Sequence, residues 1–250
     1  MKIVTYNMQH DKKSHDNWQA ILEREDPDIL LAQESLDPSR VFRPLLDSQW
    51  PSQVVWVPLH TGWGSAVYVR AHKPNQIELP GFHGWVVGAE VPAPAELIPG
   101  GRTLRIFSIH APTGQGSYSS VVNAIFDLLR DYRQDGDVII AGDFNLEVSV
   151  RHASEERQTP RCDLAIQTRL RDEFGLTNCW QLSHPQEHLA QTLRWDRDPK
   201  TVYHCDGIFV PRSWAARLQA CEVLCGSEWT AISDHNPVVA VFGSPGAAPF

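Results

Sequence analysis

Val138-Ile139-Ile140-Ala141-Gly142-Asp143-Phe144-Asn145 is the stretch on which the fold of this chain turns. Its first four residues are apolar without interruption, as in a short strand buried on both faces. Gly142 permits a close approach of the backbone to a neighbour. Asp143 and Asn145, two apart, project to the same side, where a carboxylate and an amide can together grip one water molecule or one cation. Taken alone, the pair is better explained by an Asx turn closing the strand.

The same design recurs along the chain. Thr5-Tyr6-Asn7, Ala32-Gln33-Glu34, Ser108-Ile109-His110, His204-Cys205-Asp206 and Ser233-Asp234-His235 each join a short apolar or alternating run to a polar residue able to hold a metal or move a proton. Thr192-Leu193-Arg194 is a weaker instance. Asp234 beside His235 sets a hard oxygen ligand next to a titratable imidazole, although a capped turn with a solvent-facing His would look the same. Polar residues spread from 7 to 235 are hard to explain by packing alone. They predict one hydrolase-type catalytic domain over residues 1–243, with 244–250 as a frayed tail.

Strands are predicted at 2–6, 28–33, 53–58, 64–70, 85–91, 102–109, 137–142, 202–210 and 237–242. Helices are predicted at 15–25, 38–47, 117–133, 162–174 and 211–216. The helix at 117–133 has the strongest pattern, with Val121, Val122, Ile125, Leu128 and Leu129 at helical spacing and Asp127, Arg130, Asp131 and Arg133 on the outer face. Residues 91–101, rich in Pro and Gly, read as a hairpin connection rather than a domain boundary. Neighbouring strand pairs mixed with helix-separated strands predict an α/β fold: a four-layered α/β/β/α sandwich of two packed mixed sheets flanked by helices.

Composition sets the outer bounds. A chain of 250 residues can bury one large core. The formal net charge of −8 argues against non-specific binding to nucleic acid through a basic surface, but a local basic rim or a bound cation can offset it. The five cysteines form no CxxC pair and no zinc-finger spacing, which suggests reduced thiols. No run approaches the ~20 apolar residues of a membrane span. Met1 leads directly into a strand, so no signal peptide is expected and the predicted location is cytoplasmic.

In order, the motifs T-Y-N, A-Q-E-S, S-I-H-A-P, G-D-F-N, H-C-D-G-I-F and S-D-H-N-P resemble those of the deoxyribonuclease I-like endonuclease/exonuclease/phosphatase superfamily, over residues 3 to 242. The resemblance implies Glu34 as the main metal ligand with Asn7 and Asp234 nearby, and Asp143 and Asn145 as holders and activators of the attacking water. It further implies His235, oriented by Asp206, as the stabiliser of the phosphoryl oxygen, and His110 as a phosphate contact or proton donor. Hard oxygen ligands imply Mg²⁺, with Mn²⁺ as a substitute. The chain departs from exonuclease III-like repair enzymes in carrying His110 where they place a Tyr, and Gln9 where they often place an Asp. It also lacks any Asp or Glu between Gln53 and Arg70, where deoxyribonuclease I-like nucleases offer a second carboxylate.

Substrate clues are fewer. Trp56, Trp63, Trp85 and Trp195 could stack on a base or lipid headgroup, or serve as packing. Arg194 and Trp195 are the residues singled out for substrate binding. Arg151, His152, Arg157 and Arg161 in one loop, and Arg194, Arg197 and Lys200 in another, could clamp phosphates or could be solvated beside their acidic neighbours. The sequence thus predicts a Mg²⁺-dependent phosphoesterase that cleaves a phosphodiester by in-line attack of water. Its substrate would be a small molecule, a lipid headgroup or a short nucleic acid, with no obligatory protein partner. A sequence-indifferent DNA or RNA nuclease is the alternative within the superfamily, and a non-catalytic binding protein on the same fold the alternative outside it.

Overall fold

A computed structural model describes residues 1–10, 14–41, 52–93, 102–114, 116–133 and 136–243. In chain order the strands are β1 (Lys2–Asn7), β2 (Ile29–Leu36), β3 (Val54–Pro58), β4 (Trp63–Val69), β5 (Asn75–Ile77), β6 (Val86–Pro92), β7 (Thr103–His110), β8 (Gly136–Asp143), β9 (Leu176–Asn178), β10 (Asp206–Pro211), β11 (Leu218–Val223) and β12 (Val238–Phe242). The helices are α1 (Ser14–Glu25), α2 (Pro38–Val41), α3 (Tyr118–Leu129), α4 (Arg161–Asp172), α5 (Cys179–Ser183) and α6 (Ser227–Thr230), with 3-10 turns at Arg130–Arg133 and Arg212–Arg217.

The strands form two six-stranded sheets, β11-β12-β1-β2-β4-β3 and β5-β6-β7-β8-β10-β9. Both are mixed: β1 and β2 run parallel, as do β7 and β8, and the other neighbours are antiparallel. Period-two alternation sends one face of each strand inward. Ile3, Leu31, Val67 and Val238 of the first sheet therefore meet Leu104, Ile106, Ile139 and Ile208 of the second in one buried layer. The opposite faces are covered by helices: Phe107, Ile140 and Phe209 pack with Val122, Ile125 and Phe126 of α3 and Ile166 of α4, while Val4, Tyr6 and Leu30 pack with Trp18 and Ile21 of α1. These three apolar layers make the predicted four-layered sandwich.

Polar groups stitch the two sheets together below one rim. Gln33 of β2 donates through Nε2 to Ser108 Oγ of β7 at 2.9 Å, and Ser108 Oγ donates back to the carbonyl of Ala32 at 3.0 Å. Thr5 Oγ1 donates to Gln33 Oε1 at 3.3 Å. Each buried polar atom in this seam has a partner, so the strand ends above it are held in fixed relation.

Several boundaries differ from those predicted. The strand expected at 202–210 starts only at Asp206; Tyr203 instead makes an isolated bridge with Leu193, which also bridges His235. The helix expected at 211–216 is the 3-10 turn Arg212–Arg217. Of the helix expected at 38–47, α2 covers Pro38–Val41, and the remainder lies outside the described residues, as do the tail 244–250 and most of the 91–101 connection. Among the described residues no helix is long and apolar enough to cross a membrane.

Candidate active site

The polar strand ends meet at that rim, contributed by both sheets. Pairing of β7 with β8 sets His110 opposite Asp143, and pairing of β10 with β8 sets Asp206 opposite Asp143. Asn7 lies opposite Gln33 in the β1–β2 pair, one residue before Glu34. Gly142 makes this convergence possible. A Cβ there would sit 1.9 Å from the carbonyl oxygen of Ile109, and its φ of 146° lies in the region that favours glycine.

Two of the predicted site residues, Glu34 and Asn145, hold left-handed backbone. Glu34 has φ 49°, where the register between β2 and β4 slips between Ala32 and Ser35. The bulge turns its carboxylate out of the sheet's alternation and toward the rim. Asn145 has φ 53°, a conformation Asn tolerates better than most residues. Its backbone N–H donates to Asp143 Oδ1 at 2.9 Å and its Nδ2 to the Ala111 carbonyl at 3.0 Å.

At the centre, Asn7 Nδ2 donates to Asp143 Oδ2 at 3.0 Å and to Glu34 Oε1 at 3.2 Å. His110 Nε2 lies 3.6 Å from Glu34 Oε1 and 3.9 Å from Asp143 Oδ2. His235 Nε2 lies 3.8 Å from Asp143 Oδ2, and its Nδ1 is 2.9 Å from Asp206 Oδ2. His10 Nδ1 contacts Glu34 Oε2. Asn7, His110, Asp143, Asp206 and His235 are all buried, while Glu34 and Asp234 remain partly open.

Electrostatics divide these groups. Burial lifts the carboxyl of Asp143 above the usual range, and Asp206 adds to the effect against the opposing charges of His235 and His110. Burial works against the imidazolium of His235, but Asp206 and Asp143 outweigh it and hold the ring up at about 10. Burial also favours the neutral form of Glu34, yet the hydrogen bond from His10 and the charges of His110, His10 and His235 bring it down to about 2. Asp234 is raised by burial and by nearby Glu34, with His235 opposing. At neutral pH the site therefore pairs a charged imidazole with carboxylates of quite different basicity.

The surroundings lock these orientations. Thr192 Oγ1 accepts from the backbone N–H groups of Cys205 and Asp206 at 2.9 and 3.1 Å. Ser233 Oγ donates to the Asn7 carbonyl at 2.8 Å and accepts from His235 N–H at 3.0 Å. Arg194, expected at the substrate, donates instead to Asn236 Oδ1 and to the carbonyls of Ser233 and His235, bracing the turn that carries Asp234 and His235. Arg151, weighed as a phosphate clamp, is buried in an ion network with Glu147 and Glu155.

Trp195 is 43 % exposed and meets Tyr203 edge-on at 5.7 Å. Both line a cavity of about 390 Å³ together with Tyr118, Asn145, Arg157 and Cys205, so the cavity opens directly beside the Asp143–Asn145 strand end. Trp85 and Trp63 flank His110 at 5.0 and 5.7 Å, whereas Trp56 is tied to the Ser35 carbonyl in the packing of the first sheet. A larger cavity of about 820 Å³, among α4, α5 and β9, contains none of these site residues. His10 is not among the residues predicted for the site, and Thr192 enters the prediction only as the first residue of the weaker Thr192-Leu193-Arg194 run. A histidine three residues after Asn7 was the available signal for the first; the second depends on tertiary packing alone.

Two donor sets deserve comparison as cation sites. Glu34, Asp234 and Asn7 offer hard oxygens, and Glu34 and Asp234 are both only partly buried. Such a set fits a divalent cation of the Mg²⁺ type, which would relieve the repulsion between the two carboxylates. Cys205, Asp206 and His235 also bring donor atoms within 4.8 Å of one another. There burial keeps the Cys205 thiol protonated, and its Sγ donates to Asp206 Oδ2 at 3.5 Å, so this trio is a hydrogen-bonded chain.

Residues 4–235 match the model of the endonuclease/exonuclease/phosphatase family, and the chain belongs to that family. It is thus placed among nucleases and phosphoesterases. No curated protein matches the sequence significantly. Solved structures share the fold. A 3′ phosphatase, NExo, from Neisseria, bound to a product DNA hairpin, is 21 % identical, with a TM-score of 0.69 over 97 % of this chain and 99 % of that one. The AP endonuclease LMAP from Leishmania major is 16 % identical, with a TM-score of 0.70 over 98 % and 88 %. An AP endonuclease from Archaeoglobus fulgidus is 18 % identical, with a TM-score of 0.69 over 97 % and 99 %.

Proposed function

We propose that the protein is a metal-dependent phosphodiesterase that hydrolyses its substrate by in-line attack of an activated water. The observation that carries this reading is the meeting of Asn7, Glu34, His110, Asp143 and His235 within hydrogen-bonding or ion-pairing distance at one rim. Phosphodiester hydrolysis needs charge neutralisation on the non-bridging oxygens, a positioned nucleophile and help for the leaving oxygen. A bound Mg²⁺, or Mn²⁺ in its place, held by Glu34, Asp234 and Asn7, would supply Lewis-acid neutralisation.

The remaining steps belong to side chains of the chain itself. Asp143, with its basicity raised by burial, takes a proton from water. Asn145 fixes that carboxylate through its backbone N–H and presents an amide beside it. His235, kept charged by Asp206, faces the developing negative charge on the phosphoryl group. Asp206 orients the ring through Nδ1 and leaves Nε2 pointing at the reaction centre. His110, between Trp63 and Trp85, contacts the phosphate or protonates the leaving oxygen.

The cavity beside Asn145 fits one ring-sized substituent of the phosphodiester, with Trp195 and Tyr203 as its aromatic wall. This favours a small nucleotide-like or headgroup-like substrate. A nuclease remains the second reading, favoured by likeness to a 3′ phosphatase captured with product DNA. The two separate on bis-p-nitrophenyl phosphate and plasmid DNA, each assayed at low and moderate salt with Trp195→Ala alongside. A small-substrate enzyme should prefer the diester and change little with salt. Its Trp195→Ala variant should show KM raised about tenfold with kcat nearly kept, as loss of one stacking contact requires. A steep fall of DNA cleavage with salt, with little turnover of the diester, would favour the nuclease.

A further inference from the structure

The segment between Asn7 and His10 is folded around the carboxylate of Glu34. Gln9 has φ 46°, a left-handed turn that brings His10 back over the strand end. Its N–H donates to Asn7 Oδ1 at 3.0 Å and its Oε1 accepts from Asp234 N–H at 3.1 Å, so one residue links both flanking oxygen donors. The ring of His10 lies flat on Trp63, with centroids 4.4 Å apart and planes at 16°. Trp63 stands opposite Leu36, just beyond the bulge that carries Glu34. Backbone turn and aromatic platform together aim Nδ1 at Glu34 Oε2.

A ring nitrogen and a carboxylate oxygen that face each other share either a proton or a cation. We propose that His10 is an additional ligand of the cation held by Glu34, and that its nitrogen turns the centre's preference from Mg²⁺ toward Mn²⁺. The inference rests on the reading of Glu34 as a metal ligand. Its chemistry is that of the donor atoms: Mg²⁺ prefers oxygen ligands and sheds water reluctantly, whereas imidazole suits first-row transition ions. The stacking on Trp63 restricts the ring before any ion arrives, which lowers the ordering cost of binding.

The test uses the full chain and its His10→Ala and His10→Phe variants; the second keeps a ring on Trp63 but removes the donor. With its side chain 47 % exposed, His10 can be replaced without opening the core. Mn²⁺ and Mg²⁺ are titrated separately by calorimetry, and pulsed electron paramagnetic resonance reads nitrogen coupling to bound Mn²⁺. The wild type should bind Mn²⁺ at least about tenfold more tightly than Mg²⁺. Both variants should lose about tenfold or more in Mn²⁺ affinity, keep Mg²⁺ affinity within about threefold, and lose nitrogen coupling relative to wild type. Unchanged Mn²⁺ preference and unchanged coupling in both variants would overturn the role of His10 and leave the metal-dependent reading standing. Absence of binding of either ion to the wild type would overturn both together.

Discussion

Replacing Asp206 by Asn tests how the charge on His235 is maintained. The amide keeps an oxygen able to accept from Nδ1 but removes the negative charge that stands 2.9 Å away. The rise of His235 from its ordinary 6.5 to about 10 corresponds to about 5 kcal/mol favouring the charged ring. A unit-charge pair at that separation in an effective dielectric of ~20 gives about 6 kcal/mol, the same order. Without Asp206 the nearest anion is Asp143, at 3.8 Å, while burial still works against the imidazolium. The alkaline limb of kcat/KM, measured on bis-p-nitrophenyl phosphate, should therefore move down by at least ~2 pH units. The stability consequence has a definite sign. Because the folded value lies above the unfolded one, the contribution of His235 is complete below pH 6.5 and is lost as pH rises through about 10. In Asp206→Asn that alkaline loss should flatten. Superimposable pH–rate profiles, with the His235 ring still titrating near 10 by NMR, would refute the assignment of Asp206 as the group that keeps it charged.

Three further predictions address the frame around the site. Gly142→Ala should destabilise the protein by about 3 kcal/mol or more, since its Cβ meets the Ile109 carbonyl and its φ lies in the glycine region; an unchanged urea midpoint would contradict the close approach of β7 and β8. Arg151→Ala should cost about 3–5 kcal/mol in urea unfolding by leaving the buried Glu147 with only the longer 3.8 Å contact to Arg157, with KM for the diester unchanged. A raised KM at unchanged stability would restore Arg151 as a phosphate clamp. His204 is buried and held down at about 4 by that burial, so the unfolded chain takes up its proton first. Stability should fall by about 3 kcal/mol as pH drops from 6.5 to about 4, and His204→Gln should remove most of that slope in pH-dependent thermal unfolding.

Much of this arrangement was legible because the site residues follow strands whose own pattern is strong. The apolar run Val138–Ala141 fixes β8, and Asp143 and Asn145 come with it. The same holds for His110 at the end of β7, and for Asp234 and His235 just before β12. Three strands escaped the pattern for physical reasons. β5 and β9 are three residues each, and β11 is an edge strand in which only Cys221 is buried. Residues 202–205 carry β-forming side chains, but the Tyr203 carbonyl accepts from Thr192 and Leu193 while those of His204 and Cys205 accept from Val148 and Phe144, so no regular ladder forms. Arg194 stands in a loop whose polarity is plain in the sequence, but the direction of its guanidinium toward the 233–236 turn depends on a contact 39 residues away. His10 is brought to Glu34 by a left-handed residue at Gln9, and neither periodicity nor propensity encodes that turn.

The most direct test of the proposed chemistry is the rate of bis-p-nitrophenyl phosphate hydrolysis by the wild type and by Asp143→Asn, each with Mg²⁺ or Mn²⁺ and with chelator. The wild type should turn over only when metal is present, and Asp143→Asn should lose about 10²–10⁴-fold in kcat while unfolding at a similar temperature. Equal rates with and without metal, or a fully active Asp143→Asn, would contradict the mechanism built on this site.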